Sequence, residues 1–240
     1  MMNNDLEHSD LSRRLPVLDA RLSLAASLFP VCDYGADIGA DHGKLSCFLL
    51  AHDKCKRMCV ADISEDSLNK AKQLLSLHGV SHRADFSVAD GLKALKQQAQ
   101  AIALLGMGGK TASDILWQGR DKICRAALIL SAHTDLMLLR KTLMQLNYHL
   151  DLEQVVQVRG RFYVCMRALP GYEAYNERQL TLGPRLLETE STDQSGLRKA
   201  YEQYLDKEIK YLSQTRTDAG RQELEWLKEE RERVRDCKND

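Results

Sequence analysis

The stretch Tyr34-Gly35-Ala36-Asp37-Ile38-Gly39-Ala40-Asp41-His42-Gly43-Lys44-Leu45 constrains this chain more than any other. An acid closes a short apolar segment, a glycine follows two residues on, and a second glycine comes four further. The apolar run Leu45-Ser46-Cys47-Phe48-Leu49-Leu50 begins at once. This order predicts the first strand, tight turn and first helix of a doubly wound α/β domain. Gly39 can adopt backbone angles that other residues avoid, and Gly43 leaves room for a ligand or a packed helix. The helix start then points free N–H groups at whatever lies over the turn. The dinucleotide fingerprint G-x-G-x-x-G is absent, and a carboxylate here attracts a cationic ligand while repelling a pyrophosphate. A glycine turn that only joins strand to helix is the competing reading.

Further strands follow at regular intervals. Arg57–Asp62 reads as a second strand ending in an acid, 25 positions after Asp37, close to the spacing that brings a carboxylate to a ribose diol. Asp62 and Ser64 also suit the cap of a helix expected over Glu65–Ser76. Ala84–Leu92 reads as a third strand carrying Asp90-Gly91 at its end. A carboxylate at Asp90 can accept a hydrogen bond from an adenine amino group, although an Asp-Gly turn explains it as well. Ala101–Leu105 is a fully apolar fourth strand running into Gly106-Met107-Gly108-Gly109-Lys110-Thr111, where three glycines let backbone approach a ligand. A phosphate-binding loop is excluded there, since Leu104 stands where its first glycine belongs. Ala126–Ser131 is a fifth strand and Leu136–Leu146 a helix. Tyr148–Val158 and Phe162–Ala168 form a hairpin turning on Arg159-Gly160-Arg161. Asp37, Asp62 and Asp90 thus end successive strands at one sheet edge, where open parallel sheets bind ligands.

The flanks are helical. Apolar positions from Leu11 to Phe29 keep a helical period, with Arg13 and Arg14 on a face free to meet phosphates and Pro30 as the stop. Leu182-Gly183-Pro184-Arg185-Leu186-Leu187 forms a small apolar anchor. From Leu197 to Asp236 the spacing predicts an antiparallel helical hairpin resembling a short coiled coil. The expected division is residues 1–170 as an α/β domain and 171–240 as the helical one.

Composition narrows the classes. The 240 residues carry no formal net charge, and the 44% apolar fraction is ordinary for a globular protein. Charge is uneven: residues 1–170 hold 21 Lys/Arg against 18 Asp/Glu, whereas 171–240 hold 13 against 16, which leaves scope for a local basic surface. Seven cysteines without a Cys-x-x-Cys pair argue against a secreted disulfide framework. No targeting pattern and no bilayer-length apolar run occur, so the expectation is a cytoplasmic protein without a membrane partner. His78 and His82 are separated by Gly79, and no metal cluster is expected.

Taken together, these residues resemble the bacterial tRNA (adenine(22)-N1)-methyltransferase family, TrmK. The marks are Leu11-Ser12-Arg13-Arg14-Leu15, Ala36-Asp37-Ile38-Gly39-Ala40-Asp41-His42, Gly106-Met107-Gly108-Gly109 and Leu182-Gly183-Pro184-Arg185-Leu186-Leu187. The resemblance implies a Rossmann-like seven-stranded methyltransferase sheet with a C-terminal coiled-coil-like domain, S-adenosylmethionine as donor (S-adenosylhomocysteine as product), no metal, and N1 of a tRNA adenine as acceptor. Carried onto this chain, donor contacts fall to Asp37, Gly39, Asp41, Asp62, Ile63, Asp90, Gly91, Gly106, Met107 and Gly108. Asp41 and His42 are the catalytic candidates. RNA contacts fall to Arg13, Arg14, Gly109, Lys110, His133, Arg159 and Arg161. A monomer or weak homodimer is expected. Two departures stand out: Ser131-Ala132-His133 replaces the family's Gln-Pro-Asn, and the segment after Asp62 lacks its Gly-Pro. Another RNA position, a small-molecule acceptor, or a non-catalytic RNA- or protein-binding role remains open on the residues alone.

Overall fold

The computed structural model describes residues 16–188, 195–214 and 218–236. Its centre is β4 (Ala101–Leu105), whose five apolar residues are all buried. A strand with no polar side chain must be covered on both faces, which favours a parallel sheet between helical layers. On one side β4 pairs with β1 (Cys32–Ile38), then β2 (Cys55–Asp62) and β3 (Ala84–Val88), all parallel. On the other it pairs in parallel with β5 (Ala127–Ala132), which pairs antiparallel with β7 (Arg161–Pro170), itself antiparallel to β6 (Tyr148–Val158). The order is β3-β2-β1-β4-β5-β7-β6.

Alternation along the strands sends side chains into two cores. Ile102 and Leu104 face one cluster while Ala101, Ala103 and Leu105 face the other. The second cluster is covered by α1 (Ala20–Leu28), α2 (Lys44–Ala51) and α3 (Glu65–Leu77), through residues such as Ala25, Leu49, Leu68 and Leu75. The first is covered by α4 (Gly109–Gln118) and α5 (Leu136–Gln145), through Leu116, Leu139 and Leu143. Helix α3 starts where the sequence places its cap, with the Ser67 N–H donating to Ser64 Oγ. Cys32, Cys47, Cys55, Cys59 and Cys165 are buried free thiols.

Two elements differ from expectation and a third goes beyond it. Pro16 to Asp19 is not helical. The first described helix begins only after Asp19, whose carboxylate accepts the Leu22 N–H at 2.8 Å, so a cap replaces the continuous period; Leu11–Leu15, with Arg13 and Arg14, lie outside the described residues. The third strand stops at Val88 rather than running to Leu92. Gly91 takes φ +56° and opens a single 3₁₀ turn, Gly91–Ala94, behind Asp90. The Leu182–Leu187 anchor is apolar as read, with Leu182, Pro184 and Leu186 buried, but it also covers a polar contact that the sequence did not reveal. It is two short helices, α6 (Glu177–Leu182) and α7 (Pro184–Leu187), folded over a buried ion pair.

That pair is Arg140 Nε to Glu153 Oε1 at 2.8 Å, with both side chains inaccessible to solvent. Arg140 Nη1 also donates to the carbonyls of Leu180 and Thr181, each at 2.8 Å, and Glu153 Oε2 accepts the Arg185 N–H at 3.1 Å. A Cβ at Gly183 would stand 2.7 Å from Arg140 Nη2 and 2.9 Å from Glu153 Oε2, so only glycine lets the chain cross here. The helices α8 (Ser195–Leu212) and α9 (Asp218–Asp236) then run antiparallel, with Arg235 paired to Glu202 and Arg231 to Asp206. Their buried Tyr201, Tyr204, Leu205, Leu227 and Val234 join the cluster that holds Phe162, Val155 and Leu186. Burying each such aliphatic side chain contributes roughly 1.5–3 kcal/mol.

Arg140→Met should cost about 3–5 kcal/mol in urea denaturation, because Glu153 is left charged and unpaired in the core. Adding Glu153→Leu should recover most of that loss. A single-variant loss below about 1 kcal/mol would show the pair to be dispensable.

Candidate active site

The turn after β1 is tight because three of its residues have positive φ: Gly39 (+73°), Asp41 (+50°) and Gly43 (+67°). Aspartate tolerates this region better than most side chains, so Asp41 fits the backbone as well as carrying charge. The Gly39 and Ala40 N–H groups both donate to the Ala61 carbonyl at 2.9 Å, tying the turn to β2. Asp62 completes the clamp, accepting the Asp41 N–H on Oδ2 and the Ser64 N–H on Oδ1, each at 2.9 Å. A Cβ at Gly43 would stand 2.7 Å from Ala71 Cβ, so this glycine serves the packed helix α3.

Asp37 is the penultimate residue of β1 and is 3% exposed. Its Oδ2 accepts the Ser46 hydroxyl at 2.7 Å, and the Ser46 N–H adds a second bond at the start of α2. Burial still dominates and pushes its pKa up to about 6. Above it opens a cavity of about 700 Å³, within the range of small-molecule sites. Asp19, Asp37 and Asp41 supply carboxylates to its walls, and Arg21, Lys44, Arg159 and Arg161 supply cations, with His42 and Tyr163 as the aromatic rings. Asp41 and His42 stand together at the mouth, Nε2 to Oδ1 at 3.6 Å. Asp37 and Asp41 stand at the sheet edge and Arg159 and Arg161 on the facing hairpin, while Asp19 and Arg21 come from the start of α1 and Lys44 from the start of α2. The hairpin overhangs because β5 pairs with β7 only as far as Ala132↔Val164, leaving Arg161–Tyr163 to pair with β6 alone. Arg159 and Gly160 both have positive φ in a two-residue turn, the type that matches strand twist.

The structure gathers Asp37, Gly39, Asp41, His42, Gly106, Arg159 and Arg161 around this one cavity. Asp62 stands one hydrogen bond behind Asp41, and Ile63 beside it is 74% exposed. Met107 lies across the turn, its Cε 3.2 Å from where a Gly39 Cβ would be. Asp90 and Gly91 are elsewhere: Asp90 pairs with Lys93 at 2.8 Å, and both line a separate small cavity beside Ile115. Gly108 and Gly109 face the loop after β5. A Cβ on Gly109 would stand 2.5 Å from the Thr134 and Asp135 carbonyls, so this glycine serves packing, and it is buried from any RNA. Lys110 is exposed and pairs with Asp114 at 2.9 Å. His133 sits edge-on to Tyr163, ring centroids 5.4 Å apart, with Nδ1 buried and unpartnered. Among the described residues no group of three or more His, Cys, Asp or Glu could hold a metal, and no helix is long and apolar enough to cross a membrane.

The sequence profile of the family described as Methyltransferase domain matches residues 18–166, more than half of the chain. This chain belongs to that methyltransferase family. It is 29% identical over 170 residues to the tRNA (adenine(22)-N(1))-methyltransferase of Bacillus subtilis, covering 69% of this chain and 71% of the relative. The solved B. subtilis m1A22 tRNA methyltransferase TrmK superposes with a TM-score of 0.73 at 25% identity, covering 93% of this chain and 99% of that one. A Streptococcus pneumoniae protein, described as a candidate tRNA (m1A22) methyltransferase and solved with S-adenosyl-L-methionine, gives 0.81 at 23% identity over 89% and 99%.

Sequence reasoning missed Arg21, Lys44 and Tyr163. Arg21 lies 5.3 Å from the Tyr163 ring centroid, and its Nη1 is 2.8 Å from where a Gly106 Cβ would be. Lys44 opens α2 directly after the glycine turn, whereas Arg21 and Tyr163 carry no local mark and meet only because α1 crosses over β7.

Asp37 carries a stability signature. Its folded pKa lies above the ordinary carboxylate value, so the stability it lends is present below about pH 4 and lost as pH rises through about 6. Asp37→Asn should remove that slope and stabilise the unliganded protein at neutral pH by up to about 3 kcal/mol, measured by urea denaturation at a series of pH values. An unchanged slope would place the titrating group elsewhere.

Proposed function

We propose that this chain transfers a methyl group from S-adenosylmethionine to N1 of an adenine in tRNA, adenine 22 of the D-arm region, in the cytoplasm, acting as a monomer or weak homodimer. The observation that carries the reading is a single cavity with carboxylates at the strand ends and arginines on the opposing hairpin. A cationic donor suits the acidic floor, and a polyanion suits the basic rim. The named activity of the B. subtilis relative supports the same assignment.

S-adenosylmethionine supplies an already activated methyl group when bound, so the residues chiefly orient and stabilise. Asp37, whose charge is made costly by burial, would gain a counter-ion in the donor's ammonium end. Asp62, on which the turn already hangs, would hold the donor's ribose, and the exposed Ile63 would offer an apolar contact beside it. Gly39, Gly106 and Met107 would form the backbone wall, while Asp90 and Gly91 border their own small cavity. Asp41 faces the reacting base, where a carboxylate stabilises positive charge arising on the ring and accepts an N6 proton, with His42 beside it. Arg159 and Arg161 hold phosphates at the mouth; Lys110, Arg13 and Arg14 extend that track, and His133 backs the acceptor side.

Incubating the protein with labelled S-adenosylmethionine and unmodified tRNA, then identifying the nucleoside by mass spectrometry, should yield N1-methyladenosine. A different methylated nucleoside would redirect the acceptor assignment, and no incorporation into any tRNA would overturn the reading. Asp41→Ala should lower turnover by about 100-fold or more while leaving donor affinity nearly unchanged. Equal losses in both would assign Asp41 to donor binding.

A further inference from the structure

The cavity contains an aromatic face that no step above uses. Because β7 enters the sheet edge antiparallel, its residues alternate there between core and cavity. Phe162 and Val164 turn into the cluster beneath the C-terminal helices, with Phe162 edge-on to Tyr204 at 6.5 Å. Arg161 and Tyr163 turn the other way and line the cavity. The Tyr163 ring is held from one side by His133. Its face is covered by the Arg21 guanidinium, a planar cation 5.3 Å from the ring centroid.

Arg21 has no close ion pair among the described residues, although it stands beside Asp37 and only 20% of its side chain is exposed. Among the described residues, its nearest acidic partner is Asp19 at 4.0 Å, a separation at the limit of an ion pair. A guanidinium lying over a tyrosine face occupies the side from which a nucleobase would stack, and bases taken out of their stack are held by aromatic faces of this kind. The same cover lies against Gly106, beside Asp37 and the donor turn. A base replacing it would therefore lie between the carboxylate floor and the arginines of the hairpin.

We infer that Tyr163 is the stacking platform of a purine subsite, which the acceptor base enters by displacing the Arg21 guanidinium. This rests on the methyl-transfer reading for the identity of the base, but the subsite itself is defined by ring, cover and rim. A neutral purine exchanges one planar π-contact for another. Positive charge arising on the ring during reaction would strengthen the contact with the electron-rich tyrosine face. Arg21, displaced yet tethered on α1, would then repel the cationic product base and favour its departure.

Two measurements separate the subsite from the reaction. In the first, adenosine 5′-monophosphate is titrated onto protein saturated with S-adenosylhomocysteine and followed by saturation-transfer NMR. Binding should weaken about 5- to 150-fold in Tyr163→Ala, the loss expected for one base–aromatic stack, and Tyr163→Phe should restore most of it. In the second, kcat/KM on unmodified tRNA should fall by a similar factor in Tyr163→Ala, with S-adenosylhomocysteine affinity unchanged by calorimetry as the control for folding. Nucleotide binding that is equal in wild type and Tyr163→Ala, or kcat/KM within twofold of wild type, would overturn the subsite. A wild-type protein that methylates no tRNA yet binds the nucleotide through Tyr163 would overturn the methyl-transfer reading and uphold the subsite.

Discussion

The carboxylate of Asp62 is the contact on which the site's geometry depends. It closes β2 and, from its two oxygens, holds the N–H of Asp41 across the neighbouring turn and that of Ser64 at the start of α3. The Asp41 backbone, in a left-handed conformation, is thereby fixed between two strands. Buried Asp37 sits at the other end of the same turn, bonded to Ser46. Two acids from adjacent strand ends thus shape one loop. Asp37 faces the cavity with Arg21 from α1 near enough to offset part of its charge, while Asp62 stands behind the turn.

The opposing wall is positive for a reason of topology. A purely parallel sheet would send every strand's carboxyl end to this edge. The inserted antiparallel β7 instead delivers a hairpin, whose tip projects past β5 with Arg159 and Arg161. Field lines between an acidic floor and a basic rim favour a ligand pair of opposite charges, one entering beneath and one from outside. Behind the hairpin, Arg140 and Glu153 lock the chain that leads to α8 and α9. The helical tail therefore braces, through Tyr204 and Phe162, the very strand that presents Tyr163 to the cavity.

Much of this was legible in the sequence because it is local. The turn at Gly39, the fully apolar β4 and the Ser64 cap all follow from neighbours within a few positions. The hairpin tip was readable from Arg159-Gly160 for the same reason. What escaped reading is carried by long-range packing. Gly109 looked ligand-facing but is consumed by the loop after β5. Leu182–Leu187 is apolar as read, but the ion pair of Arg140 and Glu153 beneath it left no local mark. Arg21 and Tyr163 are 142 positions apart in the chain (163 less 21) and meet only through the crossing of α1 over β7. No periodicity encodes such a meeting.

The central claim is that one cavity places a methyl donor against a single tRNA adenine. It is tested most directly by single-turnover methyl transfer to two transcripts that differ only at position 22, adenine in one and guanine in the other. The account predicts stoichiometric transfer to the first and none to the second. Equal transfer to both, or transfer to neither, would contradict it.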